Sequence, residues 1–132
     1  MNNVLVLKKR KEFLRVAKQG VKFVSSCLIL QAAQNLSDNP QTYIGYTATK
    51  KIGKAHLRNR TKRRLRAAVR TMPAELYLPQ TSYVLVGRYN TSTVDFQKLK
   101  EELQKALTHI NKTLCKEKKN EQNSLSSSDS AD

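Results

Sequence analysis

Apolar residues recur at helical spacing in two parts of the chain. Over residues 94–114 they return every three or four positions with Lys and Glu between them, which predicts an amphipathic helix. A shorter pattern near the N-terminus predicts another helix that ends at Gly20, since glycine commonly follows the last turn of a helix. The apolar positions of this first helix are Leu5, Leu7, Phe13, Val16 and Ala17.

Three other stretches are typical of β-structure. Residues 21–33 form an extended region with an apolar centre from Cys27 to Leu30. Residues 42–49 are rich in Tyr, Thr and Ile, and they place Ile44, Tyr46 and Ala48 on one face of a strand. Residues 83–87 are too short and too β-prone for a helix, so we predict a buried strand there. Turn-forming residues at 35–40 separate the first two stretches.

These elements predict an α+β fold, an α/β sandwich with helices covering one sheet. We expect one small mixed sheet of about four strands and three helices, in the order α-β-β-β-α-β-α. A strand–helix–strand unit spans residues 42–87, and its crossover would normally be right-handed. Residues 1–115 make a single domain, whereas the polar residues 116–132 cannot bury a core and predict a disordered tail.

Charge changes this picture because it is unevenly distributed. The chain holds 25 Lys and Arg against 10 Asp and Glu, a net charge of +15. Residues 1–74 carry the whole excess, with Glu12 and Asp38 as their only acids, while the rest of the chain is neutral. So much like charge on a compact surface repels itself unless a polyanion neutralises it.

Residues 50–70 concentrate this charge and are mostly helical by pattern. An apolar stripe of Leu57, Thr61, Leu65, Ala68 and Val69 would dock this helix on the sheet. Cations occupy the other sides at i,i+4 spacings, where like charges destabilise a solvated helix. We therefore predict nucleic-acid binding. The predicted RNA-binding residues are Lys50, Lys51, Lys54, Arg58, Asn59, Arg60, Lys62, Arg63, Arg66 and Arg70.

RNA is favoured over DNA as the partner. A helix crowded with Arg on three sides has few side chains to spare for base edges, and the strand at 83–87 interrupts any helix-turn-helix pair. Aromatic side chains that can stack on unpaired bases lie elsewhere, at Phe13, Phe23, Tyr43 and Tyr46. For Phe13 and Tyr46, core packing is an equally good interpretation.

The chain shows no pattern for other chemistry. His56 and His109 are far apart, and acids are too few in the basic half for a two-metal nuclease site, so we predict no catalytic or metal-ligating residue. The apolar runs are too short to span a bilayer and the start does not resemble a signal peptide. We expect no membrane or DNA partner and a reducing, cytoplasmic location in which Cys27 and Cys115 remain two buried thiols.

The basic segment resembles the signature of the bacterial ribonuclease P protein family: a Lys-Lys, Gly and Lys-Ala run followed by Arg-Asn-Arg and Lys-Arg-x-x-Arg. The resemblance covers roughly residues 5–115. The matching run is Lys50-Lys51-Ile52-Gly53-Lys54-Ala55-His56-Leu57-Arg58-Asn59-Arg60-Thr61-Lys62-Arg63-Arg64-Leu65-Arg66.

The resemblance implies a subunit with no catalytic residues of its own. Its partners would be the ribonuclease P RNA, which uses bound Mg²⁺ to cleave the leader from precursor tRNA, and that precursor. It further implies a left-handed crossover through the Arg-Asn-Arg helix. A cleft between the first helix and the sheet would hold the leader, although Ala17 and Leu30 stand where the family often has aromatics. The cleft residues implied are Phe13, Leu28, Leu30, Tyr46 and Ala48.

The alternative function is a structural ribosomal RNA-binding protein with no associated reaction. Its size and charge would be the same. The Arg-Asn-Arg motif and the aromatic cleft favour the ribonuclease P subunit, and copurification with ribosomal subunits or with a single catalytic RNA would separate the two functions.

Overall fold

The computed structural model describes residues 4–35, 39–48 and 52–126, with side chains described as far as residue 115. These residues form five strands and three α-helices, and a short 3-10 helix at Ala74–Leu76 precedes the last strand. The elements are β1 (Val4–Val6), α1 (Arg10–Gln19), β2 (Val21–Val24), β3 (Leu28–Gln34), β4 (Thr42–Ala48), α2 (Ala55–Thr71), β5 (Thr81–Gly87) and α3 (Phe96–Ser126).

The five strands form one mixed sheet in the order β1-β4-β5-β3-β2. β4 runs parallel to both β1 and β5, while β3 runs antiparallel to both β5 and β2. The α+β class and the parallel strand–helix–strand unit β4–α2–β5 are therefore confirmed. The left-handed crossover implied by the resemblance stays a prediction.

The two faces of the sheet are covered differently. We call the face packed against α2 and α3 the closed side, and the face crossed by α1 the open side. On the closed side the buried sheet residues are Leu28, Leu30, Ala32, Ile44, Tyr83 and Leu85. On the open side a smaller cluster joins Leu7 and Val16 to Ala33 and Val84. The main core thus lies between the sheet and two helices.

Polar groups within the closed side are hydrogen-bonded. The Tyr83 hydroxyl donates to Asn111 Oδ1 at 2.8 Å and accepts from the Leu78 amide at 2.9 Å. Burial raises the pKa of Tyr83 to about 12. The Tyr77 hydroxyl donates to the Val69 carbonyl at 2.9 Å, and burial raises its pKa as well. Both phenols therefore stay neutral and act as structural donors.

The N-terminal segment differs from the sequence prediction. Leu5 belongs to strand β1, and Leu7 follows it in a connection, so neither is part of the first helix. The segment pairs in register with β4 and brings Leu7 into the open-side core. A three-residue strand is too short to show its alternation, which explains the error. The predicted helix end is confirmed: Gly20 follows α1, and an added Cβ there would lie 2.3 Å from the Ala32 carbonyl oxygen.

Two further boundaries differ. The extended region at 21–33 is a hairpin of β2 and β3, and the unpredicted N-terminal strand β1 brings the sheet to five strands rather than about four. The last helix begins at Phe96 and its backbone continues to Ser126, past the predicted domain end at residue 115. Residues 116–126 contain no Gly or Pro and several Lys and Glu, which favour helix despite their polarity. Residues 127–132 lie outside the described residues, and disorder there stays a prediction.

Candidate nucleic-acid interface

The predicted apolar stripe of α2 is confirmed as its docking surface. Thr61, Leu65, Ala68 and Val69 are buried against the closed side, and Leu57 is half-buried. α2 approaches β5 so closely at Gly87 that a Cβ added there would lie 2.2 Å from Thr61 Cγ2. The helix is thus held by a narrow seam and exposes its remaining sides.

Those remaining sides form what we call the basic surface: Arg58, Lys62, Arg63, Arg66 and Arg70. Arg63, Arg66 and Arg70 are exposed, and Arg58 and Lys62 are half-buried. The ion pairs among the described residues lie within α1 or within α3. No carboxylate of the described residues therefore neutralises the basic surface, which suits an external polyanion.

Two arginines of α2 have partners inside the protein. Arg60 Nε donates to the Ser92 carbonyl at 3.0 Å. Arg64 donates to the Thr91 and Val94 carbonyls at 3.0 and 2.5 Å. Both side chains reach the connection between β5 and α3. The Arg60 side chain is exposed, so its contact with RNA stays a prediction. Its hydrogen bond to Ser92 also links α2 to the connection between β5 and α3.

Tyr46 packs against α2 on the closed side and reaches only the border of the groove beside α1, where the resemblance places it. The Arg66 guanidinium carbon lies 5.3 Å from the centroid of the Tyr46 ring, a cation–π contact. Burial raises the pKa of Tyr46, while the charges of Arg66 and Arg70 act in the opposite direction. The Tyr46 ring therefore packs beneath the Arg66 side chain of the basic surface.

A groove of about 450 Å³ runs beside α1 on the open side. Phe13, half-buried, forms its apolar wall together with the exposed Leu14. Lys8 and Arg10 supply cations at the start of α1. The full lining is Lys8, Arg10, Phe13, Leu14, Ala17, Gln31, Tyr46, Thr47 and Val84. The groove thus combines an aromatic wall, polar groups and positive charge.

Three other predicted cleft residues also lie on the wrong side of the sheet. Leu28 and Leu30 are completely buried in the closed-side core. Ala48 shares the face of Ile44 and Tyr46, because side chains alternate along a strand. An error of one position in assigning a strand residue therefore exchanges the closed side for the open side. Gln31 marks the open face by its polarity between apolar neighbours, and this signal identifies the groove side of β3.

The other predicted site residues are placed as follows. Lys54 and Asn59 are exposed at the N-terminal half of α2. Lys50 and Lys51 lie outside the described residues. Phe23 lies at the β2 edge with its centroid 4.9 Å from that of His109. Of the four predicted aromatic candidates, Phe13 and Tyr46 line the groove, and Tyr43 packs against the open-side cluster. Of the two predicted buried thiols, Cys27 is buried, whereas Cys115 is exposed on α3.

The acidic residues that the structure describes lie apart from one another or pair with nearby cations. Glu12 pairs with Arg15 at 3.1 Å. Ser25 donates to Glu102 at 2.8 Å and thereby lowers the pKa of that carboxyl, which also pairs with Lys98 and Lys105. No three His, Cys, Asp or Glu side chains among the described residues lie close enough together to hold a metal ion. In the described part of the chain no helix is long and apolar enough to cross a membrane.

Comparison with known proteins identifies relatives along most of the chain. The family model described as Ribonuclease P matches residues 1–111. The ribonuclease P protein component of Gluconacetobacter diazotrophicus is 46% identical over 101 residues, which cover 76% of this chain and 86% of that protein. That of Caulobacter vibrioides is 39% identical over 104 residues, covering 79% and 69%.

Solved structures show the same fold. The RNase P protein of Thermotoga maritima superposes with a TM-score of 0.67 at 26% identity, covering 79% of this chain and 96% of that one. The RNase P protein of Staphylococcus aureus gives a TM-score of 0.65 at 20% identity, covering 78% and 92%. These solved proteins therefore share the fold of this chain.

Proposed function

The chain belongs to the ribonuclease P protein family, and we propose that it is the protein subunit of a ribonuclease P. In this proposal the basic surface of α2 binds the catalytic RNA, and the groove beside α1 binds the leader of precursor tRNA. The complex then removes the leader by endonucleolytic hydrolysis to leave the mature 5′ end. Family membership favours this function over a structural ribosomal protein.

The observation that carries the proposal is the adjacency of two surfaces suited to RNA. Tyr46 borders the groove, and Arg66 of the basic surface lies over its ring. Phosphates of one strand can therefore follow the cations of α2 while a neighbouring single-stranded segment enters the groove. Phosphate contacts supply affinity, and stacking on Phe13 supplies a preference for unpaired bases.

The chain's part in the reaction is to bind and orient. Lys8 and Arg10 neutralise leader phosphates, Phe13 stacks on a base, and Gln31 and Thr47 offer hydrogen bonds within the groove. The carboxylates described above do not fit a dedicated Mg²⁺ site, so we assign the catalytic Mg²⁺ to the RNA subunit and the substrate. The cytoplasmic location expected from the sequence belongs to the same proposal.

Reconstitution tests the assignment of function. We expect no cleavage of precursor tRNA by the chain with Mg²⁺ alone, and an increase in leader removal when the chain joins a ribonuclease P RNA. Specific cleavage by RNA-free protein, or no effect of the chain on the RNA-catalysed reaction, would contradict the proposal.

Replacing Phe13 tests the groove. Phe13→Ala should weaken binding of the reconstituted enzyme to precursor tRNA by about 1–3 kcal/mol, the usual contribution of stacking on one base, and should leave mature tRNA almost unaffected. Phe23→Ala is the matched control, because Phe23 packs on His109 and against the closed-side core and does not line the groove. Binding assays with both RNAs measure the difference. Equal weakening for leader-bearing and leaderless RNA would mean that Phe13 only packs the core.

A further inference from the structure

The connection between β5 and α3, residues 88–95, is held firmly by the hairpin between β2 and β3. Thr91 Oγ1 donates to the Cys27 carbonyl at 2.6 Å and accepts from the Arg88 amide at 2.7 Å. Asn90 Nδ2 donates to the Ser26 carbonyl at 3.1 Å. These bonds fix the connection to one end of the sheet.

The same connection is held from its other side by α2. Arg60 and Arg64 donate to three of its carbonyls, those of Thr91, Ser92 and Val94. Residues 88–95 are therefore attached both to the sheet and to the helix that carries the basic surface, and their position follows that of α2.

Tyr89 extends from this well-held connection into solvent. Its exposed fraction of 75% is the highest among the exposed large apolar side chains of the described residues. The others are Leu5, Val6, Leu14 and Val24, which lie on β1, α1 and β2. Of these only Val24 belongs to the hairpin that holds the connection, and two such side chains fall short of the broad apolar patch that a protein partner needs.

The connection that carries Tyr89 is bonded to a cationic helix. Arg60 and Arg64 of α2 donate to its carbonyls, and with Arg63 they border a hollow of about 260 Å³ beside α2. Arg88 precedes Tyr89, and its guanidinium donates to the Ser25 carbonyl at 3.3 Å. A flat aromatic ring on a connection held by this helix suits an unpaired base of a strand whose phosphates follow α2. The ring favours RNA over a lipid headgroup, because a headgroup shares only the charge and has no base to stack.

We propose that Tyr89 is a stacking platform for an unpaired base of RNA bound along α2. The proposal rests on the proposed function, since it extends the RNA surface from α2 to the connection that α2 holds. The base belongs either to the ribonuclease P RNA or to the precursor tRNA, and stacking on the ring is the same chemistry for both.

A tryptophan at this position reports stacking directly. The chain contains no Trp, so Tyr89→Trp places a single tryptophan, which can be excited selectively over the tyrosines, at the proposed platform. We expect RNA to quench its fluorescence, because the indole stacks on a base as tyrosine does. Quenching by the ribonuclease P RNA alone identifies that RNA as the source. Quenching that appears only when precursor tRNA joins the complex identifies the precursor.

Affinity provides the second measurement. Tyr89→Ala should lower the affinity for the RNA that quenches by about 5- to 100-fold, while Tyr89→Phe keeps most of it. The slope of log K against log salt should not change, because no charge is lost. Val6→Ala, an exposed apolar residue on the β1 edge of the sheet, away from the hairpin that holds the connection, should have no effect.

The outcomes separate this proposal from the function on which it rests. If the Trp variant binds RNA without quenching, or if Tyr89→Ala binds as tightly as the unmodified chain, the platform is wrong although the proposed function stands. If the unmodified chain binds neither RNA, both are wrong.

Discussion

The closed and open sides of the sheet differ in how completely their helices cover them. On the closed side α2 and α3 bury a continuous set of large side chains, and polar groups such as the Tyr83 hydroxyl have partners within the protein. On the open side the ten-residue α1 covers only part of the same sheet and leaves a groove. Stability therefore comes mainly from one side, and the other side is available for a ligand.

Equivalent leucine substitutions give the largest expected contrast. Leu65 is completely buried in the closed-side core, so Leu65→Ala should lower the free energy of unfolding by about 2–5 kcal/mol. Leu14 on α1 is 56% exposed, and Leu14→Ala should cost less than about 1 kcal/mol. Urea unfolding of both variants measures the difference. Similar losses would show that the open side contributes as much stability as the closed one.

Two glycines of neighbouring strands test how well each side of the sheet accommodates an added methyl group. A Cβ at Gly87 would lie 2.2 Å from Cγ2 of the buried Thr61 on the closed side, and overpacking there should cost about 1–3 kcal/mol. A Cβ at Gly45 would lie 2.5 Å from Cζ of Phe13, the far end of a side chain that borders the open groove, and 3.1 Å from Leu7 Cβ. Gly45→Ala should therefore cost less than about 1 kcal/mol. Thermal melts of the two variants provide the comparison.

A double substitution controls for the cause of the Gly87 effect. Thr61→Ser removes the clashing methyl group and keeps the hydroxyl that donates to the Leu57 carbonyl at 2.8 Å. It should restore part of the stability lost in Gly87→Ala, as coupled neighbours do. If the losses of stability in the two single variants simply add in the double variant, the contact with Thr61 is not the cause of the Gly87→Ala effect.

Neighbouring arginines of α2 give the smallest expected contrast in stability. Arg64→Ala removes two hydrogen bonds to carbonyls and should cost about 1–2 kcal/mol, a low value for charged donors because Arg64 is half-buried. Arg63→Ala should change stability by less than about 0.5 kcal/mol. It should instead reduce the salt slope of RNA binding by about 0.7–0.9 for a lost phosphate contact. An unchanged slope would exclude Arg63 from the RNA interface.

Long patterns in the sequence predicted the parts of the molecule that depend on periodicity. The stripe through Leu65 and the buried strand at Tyr83 appear in the structure as expected, because a helix and a fully buried strand each require a sustained run of apolar residues. Charge placement likewise identified the basic surface, since no nearby acid of the described residues masks it.

The sequence was least informative where one position or one distant contact decides the outcome. Leu28 and Leu30 are as apolar as groove residues could be, and only the pairing of β3 with β5 shows which face they occupy. Arg60 and Arg63 look equivalent along the helix, yet Arg60 reaches the Ser92 carbonyl. Such distinctions depend on contacts between residues far apart in the chain.

The central strand of the sheet is also the last strand to be synthesised. β5 joins β4 to β3, and both of these precede it in the chain. Until Gly87 has left the ribosome, β3 and β4 have no shared partner and Leu65 has no completed sheet on which to pack. Such non-local pairing slows folding, and the unpaired edges invite aggregation in the meantime. The order of strands therefore makes folding late and cooperative, and a chain interrupted before Thr81 cannot assemble the sheet that supports either RNA-binding surface.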